Sequence, residues 1–507
     1  MRHMRMNSRS WMRPAFAWLA WLLFLVFLGH VGANPAAAAD AGDPPYPIHP
    51  ESLDALRGME ADVVKLVREK LVPATVGVQG SSGVIVSADG VVACAAHTVG
   101  RLGAGGEATV TMSDGQKHAA KVLAVFPALD TAILRIAAPG PFVHAAPLPD
   151  DGDVTPGHWV IHVGYPRGYA KNGPGYVRLG RVVERVQKGE IGTLFLDDVG
   201  VAGGDSGGPV FDVQGRLIGV SNTGGPGPRG GSHFTAIAPI VAPAVWEKVL
   251  EGKAENIPAP LPKGVIAAPD LPVPDRCLDV LEEAVRRPGD SVVVITGPNG
   301  GRRLGAVCSA DGMIVTKAGD WAKGAGVACV LPDGRELTGA VVATEPRYDL
   351  ALVVAQATDL MPVAWAKQAT PAVGQWVVAA GPDRTAIAAG TVGAVGVDGP
   401  AHKTPGQQVI NAGGLLLRTG SPERQGTGSR SYPKLVWHTA WLEAEQLGGP
   451  LVDLDGRALG IAIERPSHIT GYMVPAAEVR AFLDKHAGAA TPNRRPSTDP
   501  AETRGGR

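Results

Sequence analysis

The chain has 507 residues, more than one hydrophobic core serves well, so two or three folded units are expected. Its 47 basic and 48 acidic side chains leave a net charge of −1, which excludes the basic footprint of a nucleic-acid binder and predicts no nucleic-acid partner. A composition of 45% hydrophobic and 19% charged residues is that of a globular protein, and 68 Gly and 43 Pro favour short strands and turns over long helices.

Arg2, Arg5, Arg9 and Arg13 precede an apolar run from Ala15 to Leu28, and the small residues Ala36 to Ala39 follow before the first acid, Asp40. This is the layout of a signal peptide over residues 1–39, cleaved after Ala39, and it predicts a periplasmic or secreted protein. The apolar run has 14 residues, against the ~20 that a helix needs to span a bilayer. An uncleaved membrane anchor is the alternative, and membrane contact is expected only in that case.

A helical period from Leu53 to Val67 leads into a β-branched run. Gly83-Val-Ile-Val-Ser-Ala-Asp-Gly90 then reads as a hairpin with an Asp-Gly turn. His97 stands at the end of the apolar strand Val91-Val-Ala-Cys-Ala-Ala-His97, where small neighbours leave an imidazole room to face a cleft. Asp130 precedes the strand Thr131 to Ile136, and a carboxylate there could accept the His97 Nδ1–H and leave Nε2 basic. In Gly203-Gly-Asp-Ser-Gly-Gly-Pro209 the glycines allow a tight turn that brings the Gly204 and Ser206 backbone N–H groups toward one point. Together these supply what acyl transfer from an amide requires: nucleophile Ser206, base His97, orienting group Asp130 and an oxyanion hole from Gly204 and Ser206. A helical segment from Ile240 to Leu250 ends this first unit, placed at residues 52–252.

A proline-rich linker is expected over 253–275. The chain then repeats itself. Gly305-Ala-Val-Cys-Ser-Ala-Asp-Gly312 answers to Gly83–Gly90, Gly374-Gln-Trp to Gly157-His-Trp, and Gly448-Gly-Pro-Leu-Val-Asp-Leu-Asp-Gly-Arg457 to Gly207–Arg216. The second unit spans 276–487, opens and closes with helical periods at Cys277–Val285 and Ala476–Leu483, and precedes a polar tail at 488–507 that should be disordered. The four cysteines, Cys94, Cys277, Cys308 and Cys329, form no C-x-x-C pair and read as buried structural residues, and no metal or cofactor is called for. Short strands between Gly- and Pro-containing turns imply an all-β fold of barrels or sandwiches with accessory helices.

Ala-Ala-His-Thr-Val, Leu-Asp-Thr-Ala-Ile-Leu and Gly-Asp-Ser-Gly-Gly-Pro, in that order, resemble the trypsin-like serine proteases and specifically their HtrA/Deg branch, over most of residues 52–250. The resemblance implies two tandem chymotrypsin-like double β-barrel domains, a triad in the cleft between barrels, and endopeptidase cleavage of unfolded or damaged protein or peptide substrates. Two departures stand out. Gly200 occupies the place, six before the nucleophile, where trypsin-type specificity puts an aspartate, so a small or medium aliphatic P1 residue is expected rather than a basic one. Nothing from Asn256 onward resembles the peptide-binding PDZ domain usual in that branch.

In the second unit Gly319 falls where His97 stands, Asp349 keeps the aspartate, and Leu447 takes the nucleophile position. A triad acts as a unit, so this copy reads as a pseudoprotease kept for packing or for binding substrate. The polar, Gly-rich stretch 398–433 is a candidate recognition loop. The alternative for the whole chain is a non-catalytic, chaperone-like binding protein on a protease fold.

Overall fold

The structure is a computed structural model describing residues 52–166, 168, 175–188, 192–225, 231–254, 265–267, 275–399, 408–412, 415–419, 432–467 and 469–490. The expected signal segment, most of the linker and recognition loop, and most of the tail lie outside the described residues.

Helix α1 (Leu53–Leu66) starts where the Ser52 hydroxyl accepts the Ala55 N–H, and buries Leu53, Leu56, Met59 and Val63 along one face. One π-helical turn, Val67–Leu71, carries it toward the first strand. Strands β1 (Thr75–Val78), β2 (Ser81–Ile85), β3 (Val91–Ala95), β4 (Glu107–Thr111), β5 (Lys117–Phe126) and β6 (Thr131–Ile136) close into a barrel in the order β1-β2-β3-β6-β5-β4. The short helix α2 (Ala96–Val99) follows β3 directly. In β5 buried residues recur at every second position, the signature of a strand with one face on the core.

A second barrel is built from β7 (Trp159–Gly164), β8 (Tyr176–Lys188), β9 (Gly192–Asp197), β10 (Pro209–Asp212), β11 (Leu217–Gly225) and β12 (Gly231–Ala236), closed by the pairing of β8 with β9. Helices α3 (Ala238–Val241) and α4 (Pro243–Leu250) complete this half. Within the expected linker, β13 (Val265–Ala267) pairs with Glu184–Val186 of β8. The branched Val265 and Ile266 were overlooked as a strand because three residues carry no readable period.

After α5 (Asp275–Gly289) the plan repeats. Strands β14 (Val292–Thr296), β15 (Arg302–Val307), β16 (Met313–Lys317), β17 (Gly326–Val330), β18 (Glu336–Glu345) and β19 (Leu350–Ala355) form a third closed barrel. A fourth contains β20 (Trp376–Ala380), β21 (Ala386–Gly399), β24 (Tyr432–His438), β25 (Pro450–Val452), β26 (Ala458–Ser467) and β27 (Thr470–Pro475), with β22 (Gln408–Ala412) and β23 (Leu415–Thr419) as a separate hairpin and α6 (Ala476–Lys485) at the end. The architecture is all-β: two tandem chymotrypsin-like double-barrel domains with short accessory helices.

The two halves share a core. One continuous apolar cluster includes Trp159, Tyr176 and Phe211 from the first half and Trp376, Trp437 and Tyr472 from the second. Tyr176 donates its hydroxyl to Ile469 O at 2.8 Å, and the Trp159 and Trp376 rings meet edge to face at 6.2 Å. Helix α1 bridges the halves, because Glu60 Oε2 accepts the Trp376 backbone N–H at 2.6 Å and Arg57 donates to Leu454 O at 2.9 Å.

Candidate active site

Two barrels contribute to one cleft. His97 stands in the first turn of α2 rather than at the end of β3, and Asp130 precedes β6, which pairs with β3 along its length. Asp130 adopts a left-handed backbone with φ 47°, a turn conformation that Asp tolerates better than most residues. Its carboxylate accepts twice from His97: Oδ1 from the backbone N–H at 2.9 Å, and Oδ2 from Nδ1 at 2.8 Å. That second bond selects the tautomer with Nε2 unprotonated. The histidine side chain is 47% exposed, so Nε2 is open to the cleft.

Ser206 comes from the second barrel, in the turn before β10. The turn is held to the first barrel by the Ser82 N–H, which donates to Ser206 O at 2.9 Å, and by the Ser82 hydroxyl, which donates to Gly204 O at 2.7 Å. Gly204 has φ 102° and Gly207 φ 81°, and a side chain at Gly207 would collide with the backbone of Ser82 and Ala95. The Gly204 and Ser206 N–H groups have no protein acceptor among the described residues. The Ser206 hydroxyl donates to Asn222 O at 3.4 Å, and no hydrogen bond joins it to His97. His97, Ser206, Val201, Ala202, Gly203, Ser221 and Asn222 line a cleft of about 370 Å³ that carries no carboxylate.

Sequence reasoning missed a support beneath Ser206. Asp205 is fully buried and paired bidentately with Arg178 of β8, Nη1 to Oδ2 at 2.7 Å and Nη2 to Oδ1 at 2.9 Å. The same guanidinium donates to Gly200 O at 3.1 Å and reaches His162 Nδ1 at 3.1 Å. Burial, with Arg178 beside it, holds His162 well below the ordinary imidazole range, so its Nδ1 is a neutral acceptor. Asp205 Oδ2 also accepts the Ala202 N–H at 2.8 Å, which ties the 200–206 segment into one unit. At the base of that segment Asp197 accepts from the Val199 N–H and the Ser232 hydroxyl, and burial pushes its carboxyl up to about 8.

The second half repeats the frame with different side chains. Ala318 N–H donates to Asp349 O and Gly319 N–H to Asp349 Oδ1, as Ala96 and His97 do with Asp130. Leu304 N–H donates to Leu447 O, as Ser82 does to Ser206. In place of an imidazole, Lys317 Nζ donates to Asp349 Oδ2 at 2.7 Å and to Ile463 O at 2.6 Å. Gly319 has φ 58°, and a side chain there would strike the Arg303 guanidinium, which lies over the Trp321 ring. Leu447 is buried in the fourth barrel's core. Cys94 and Cys329 are buried free thiols and Cys308 is a partly buried one, with burial pushing Cys94 and Cys308 up to about 12, while the Cys277 side chain lies outside the described residues. No group of His, Cys, Asp and Glu suited to a metal occurs among the described residues.

Paired double barrels with a Ser, a His and an Asp meeting at one interbarrel cleft define the trypsin-like peptidase class. Residues 81–220 and 304–461 each match the trypsin-like peptidase domain family, more than half of the chain together, and the chain belongs to that family. The curated relatives it matches over part of their length are described as DegP-like. A probable periplasmic serine endoprotease, DegP-like, of Brucella suis is 38% identical over 161 residues, which are 31% of this chain and 30% of that protein. The protein of the same description from Bartonella henselae is 33% identical over 162 residues, again 31% and 30%. The chain thus spans under a third of those relatives' length. Among solved structures, the protease domain of MamO from Magnetospirillum magneticum is 28% identical, with a TM-score of 0.29, covering 34% of this chain and 97% of that one.

Proposed function

We propose that the chain is an extracytoplasmic serine endopeptidase that cleaves unfolded or damaged proteins with its first copy, while the second copy is a pseudoprotease. The observation that carries this reading is the pair of Asp130–His97 hydrogen bonds beside Ser206 in one open cleft. In attack, Ser206 Oγ turns from Asn222 O toward His97 Nε2, gives up its proton there and adds to the scissile carbonyl carbon. Asp130 stabilises the imidazolium, and the Gly204 and Ser206 N–H groups take the oxyanion. His97 then protonates the leaving amine, and water, deprotonated by the same Nε2, hydrolyses the acyl-enzyme. Catalytic hydrogen bonds are often long or unmade before substrate binds, so the present Ser206 rotamer is compatible with this sequence. Without a carboxylate in the cleft a basic P1 side chain lacks a counter-charge, which favours small or medium uncharged P1 residues.

Export is supported by the N-terminal pattern and by relatives described as periplasmic. Among the described residues no helix is long and apolar enough to cross a membrane. The test is casein cleavage by purified wild type and Ser206→Ala. Loss of roughly 10⁴-fold or more is expected for a removed nucleophile, whereas cleavage by Ser206→Ala near the wild-type rate would refute the assignment.

A further inference from the structure

Between the second and fourth barrels lies a cavity of about 130 Å³, walled by Trp159, Trp376 and Trp441 and by Arg178, Arg181 and Asp198. Trp376 is 6% exposed and Arg178 1%. Each has one buried N–H, Trp376 Nε1 and Arg178 Nε, without an acceptor among the described residues. A buried donor left unpaired is costly, and here two of them, one from each half of the chain, belong to residues that wall the same cavity. Arg178 is neutralised by Asp205 and Asp198 accepts from the Arg181 backbone, so the walls carry no free charge; what they offer a ligand is the two N–H donors, which call for an acceptor-only group such as a carboxylate. Three indole rings make the rest of the wall apolar, and a void of about 150 Å³ accepts a benzene-sized group.

The cavity also backs onto the nucleophile segment. Val199 and Gly200 wall it, while the next residues, Val201, Ala202 and Gly203, line the cleft of Ser206. Arg178 belongs to the cavity through its lining and to the nucleophile through its ion pair with Asp205.

We infer that this interdomain cavity binds a small apolar group bearing a carboxylate, either a free organic acid or the C-terminal residue of a peptide, and that occupancy steadies the 198–206 segment. The rings take the apolar part, and the Trp376 Nε1–H and Arg178 Nε–H take the carboxylate. A ligand accepting from Arg178 Nε binds best when the guanidinium is already set against Asp205, so binding favours the ordered nucleophile turn.

The binding test uses the full chain carrying Ser206→Ala and ¹⁵N-labelled tryptophan, titrated with 3-phenylpropionate. The Trp376 indole resonance, assigned by its loss in Trp376→Phe, should move saturably. 3-Phenylpropionamide should bind at least ten-fold more weakly, and Ala389→Leu, which fills the cavity without removing either N–H, should abolish the shift. A tripeptide Ala-Ala-Phe with a free C-terminus, against its C-terminal amide, tells a peptide end from a free acid. Saturation by either carboxylate supports the inference. It is overturned if neither binds, if the amides bind as well, or if Ala389→Leu binds unchanged. The coupling rests on the proposed function: the probe should raise the rate at which wild type takes a phosphonate on Ser206 by two-fold or more, and a flat rate refutes coupling. If Ser206 takes no phosphonate at all, the proposed function fails, and the titration still reads binding.

Discussion

At the scale of single residues, the chemistry proposed for the cleft rests on a pair outside the cleft lining. Arg178 and Asp205 are both out of water, so neither charge tolerates losing the other. Arg178→Met should cost about 3–5 kcal/mol of stability, the usual result of leaving a buried charge uncompensated. It should also slow phosphonate labelling of Ser206 per folded molecule, because the Asp205 turn then lacks its anchor. Unfolding by denaturant and labelling kinetics check the two parts, and unchanged values in both would contradict the role. That His97, Asp130 and Ser206 would lie near one another was legible in the sequence because each sits in a short string whose neighbours constrain it. Arg178 was not, since it stands 27 residues from its partner, in a strand that also carries Arg181 and Arg185. The clue was Asp205 itself, an acid in a glycine turn with no cation nearby in sequence.

At the scale of elements, α1 was readable as a helix but not as a bridge. Its amphipathic period shows that one face is buried, and cannot show which body buries it. The structure puts Glu60 between the halves, where burial first, and then Asp453 and Asp455, push its carboxyl up to about 7 against the Trp376 backbone N–H that favours the charged form. An acid with a native value above its ordinary 4.5 binds its proton more tightly when folded. Its stabilising contribution is therefore full below about pH 4.5 and lost as pH rises through 7. Asp453, also raised by burial, acts in the same direction. Wild type should thus lose more thermal stability between pH 5 and 8 than Glu60→Gln, which keeps an acceptor for Trp376. At pH 8 the variant should gain about 1 kcal/mol, or roughly 2–4 °C in Tm. Parallel curves for the two proteins across that range would show that Glu60 does not titrate there.

At the scale of the molecule, the duplication was visible in ordered recurring strings, and the barrels followed from it. The shared core was not, because each repeat on its own looks able to close its barrels. Tyr176, Trp159 and α1 all spend their buried faces on the second half. Deleting residues 270–487 should therefore expose apolar surface and sharply destabilise what remains. A truncated chain that keeps its melting temperature and its casein cleavage would rule out a packing role. In the second half, Lys317 Nζ on Asp349 stands where the first half has the His97 ring, and Leu447 in the core stands where it has Ser206, so the proposed chemistry should be confined to one serine. The most direct measurement is intact-mass and peptide mapping of the full-length protein after reaction with a serine-reactive phosphonate. The account predicts one adduct per chain, on Ser206, absent from Ser206→Ala and accompanied by loss of casein cleavage. No adduct on Ser206 in folded protein, or cleavage that persists once Ser206 is fully modified, would contradict it.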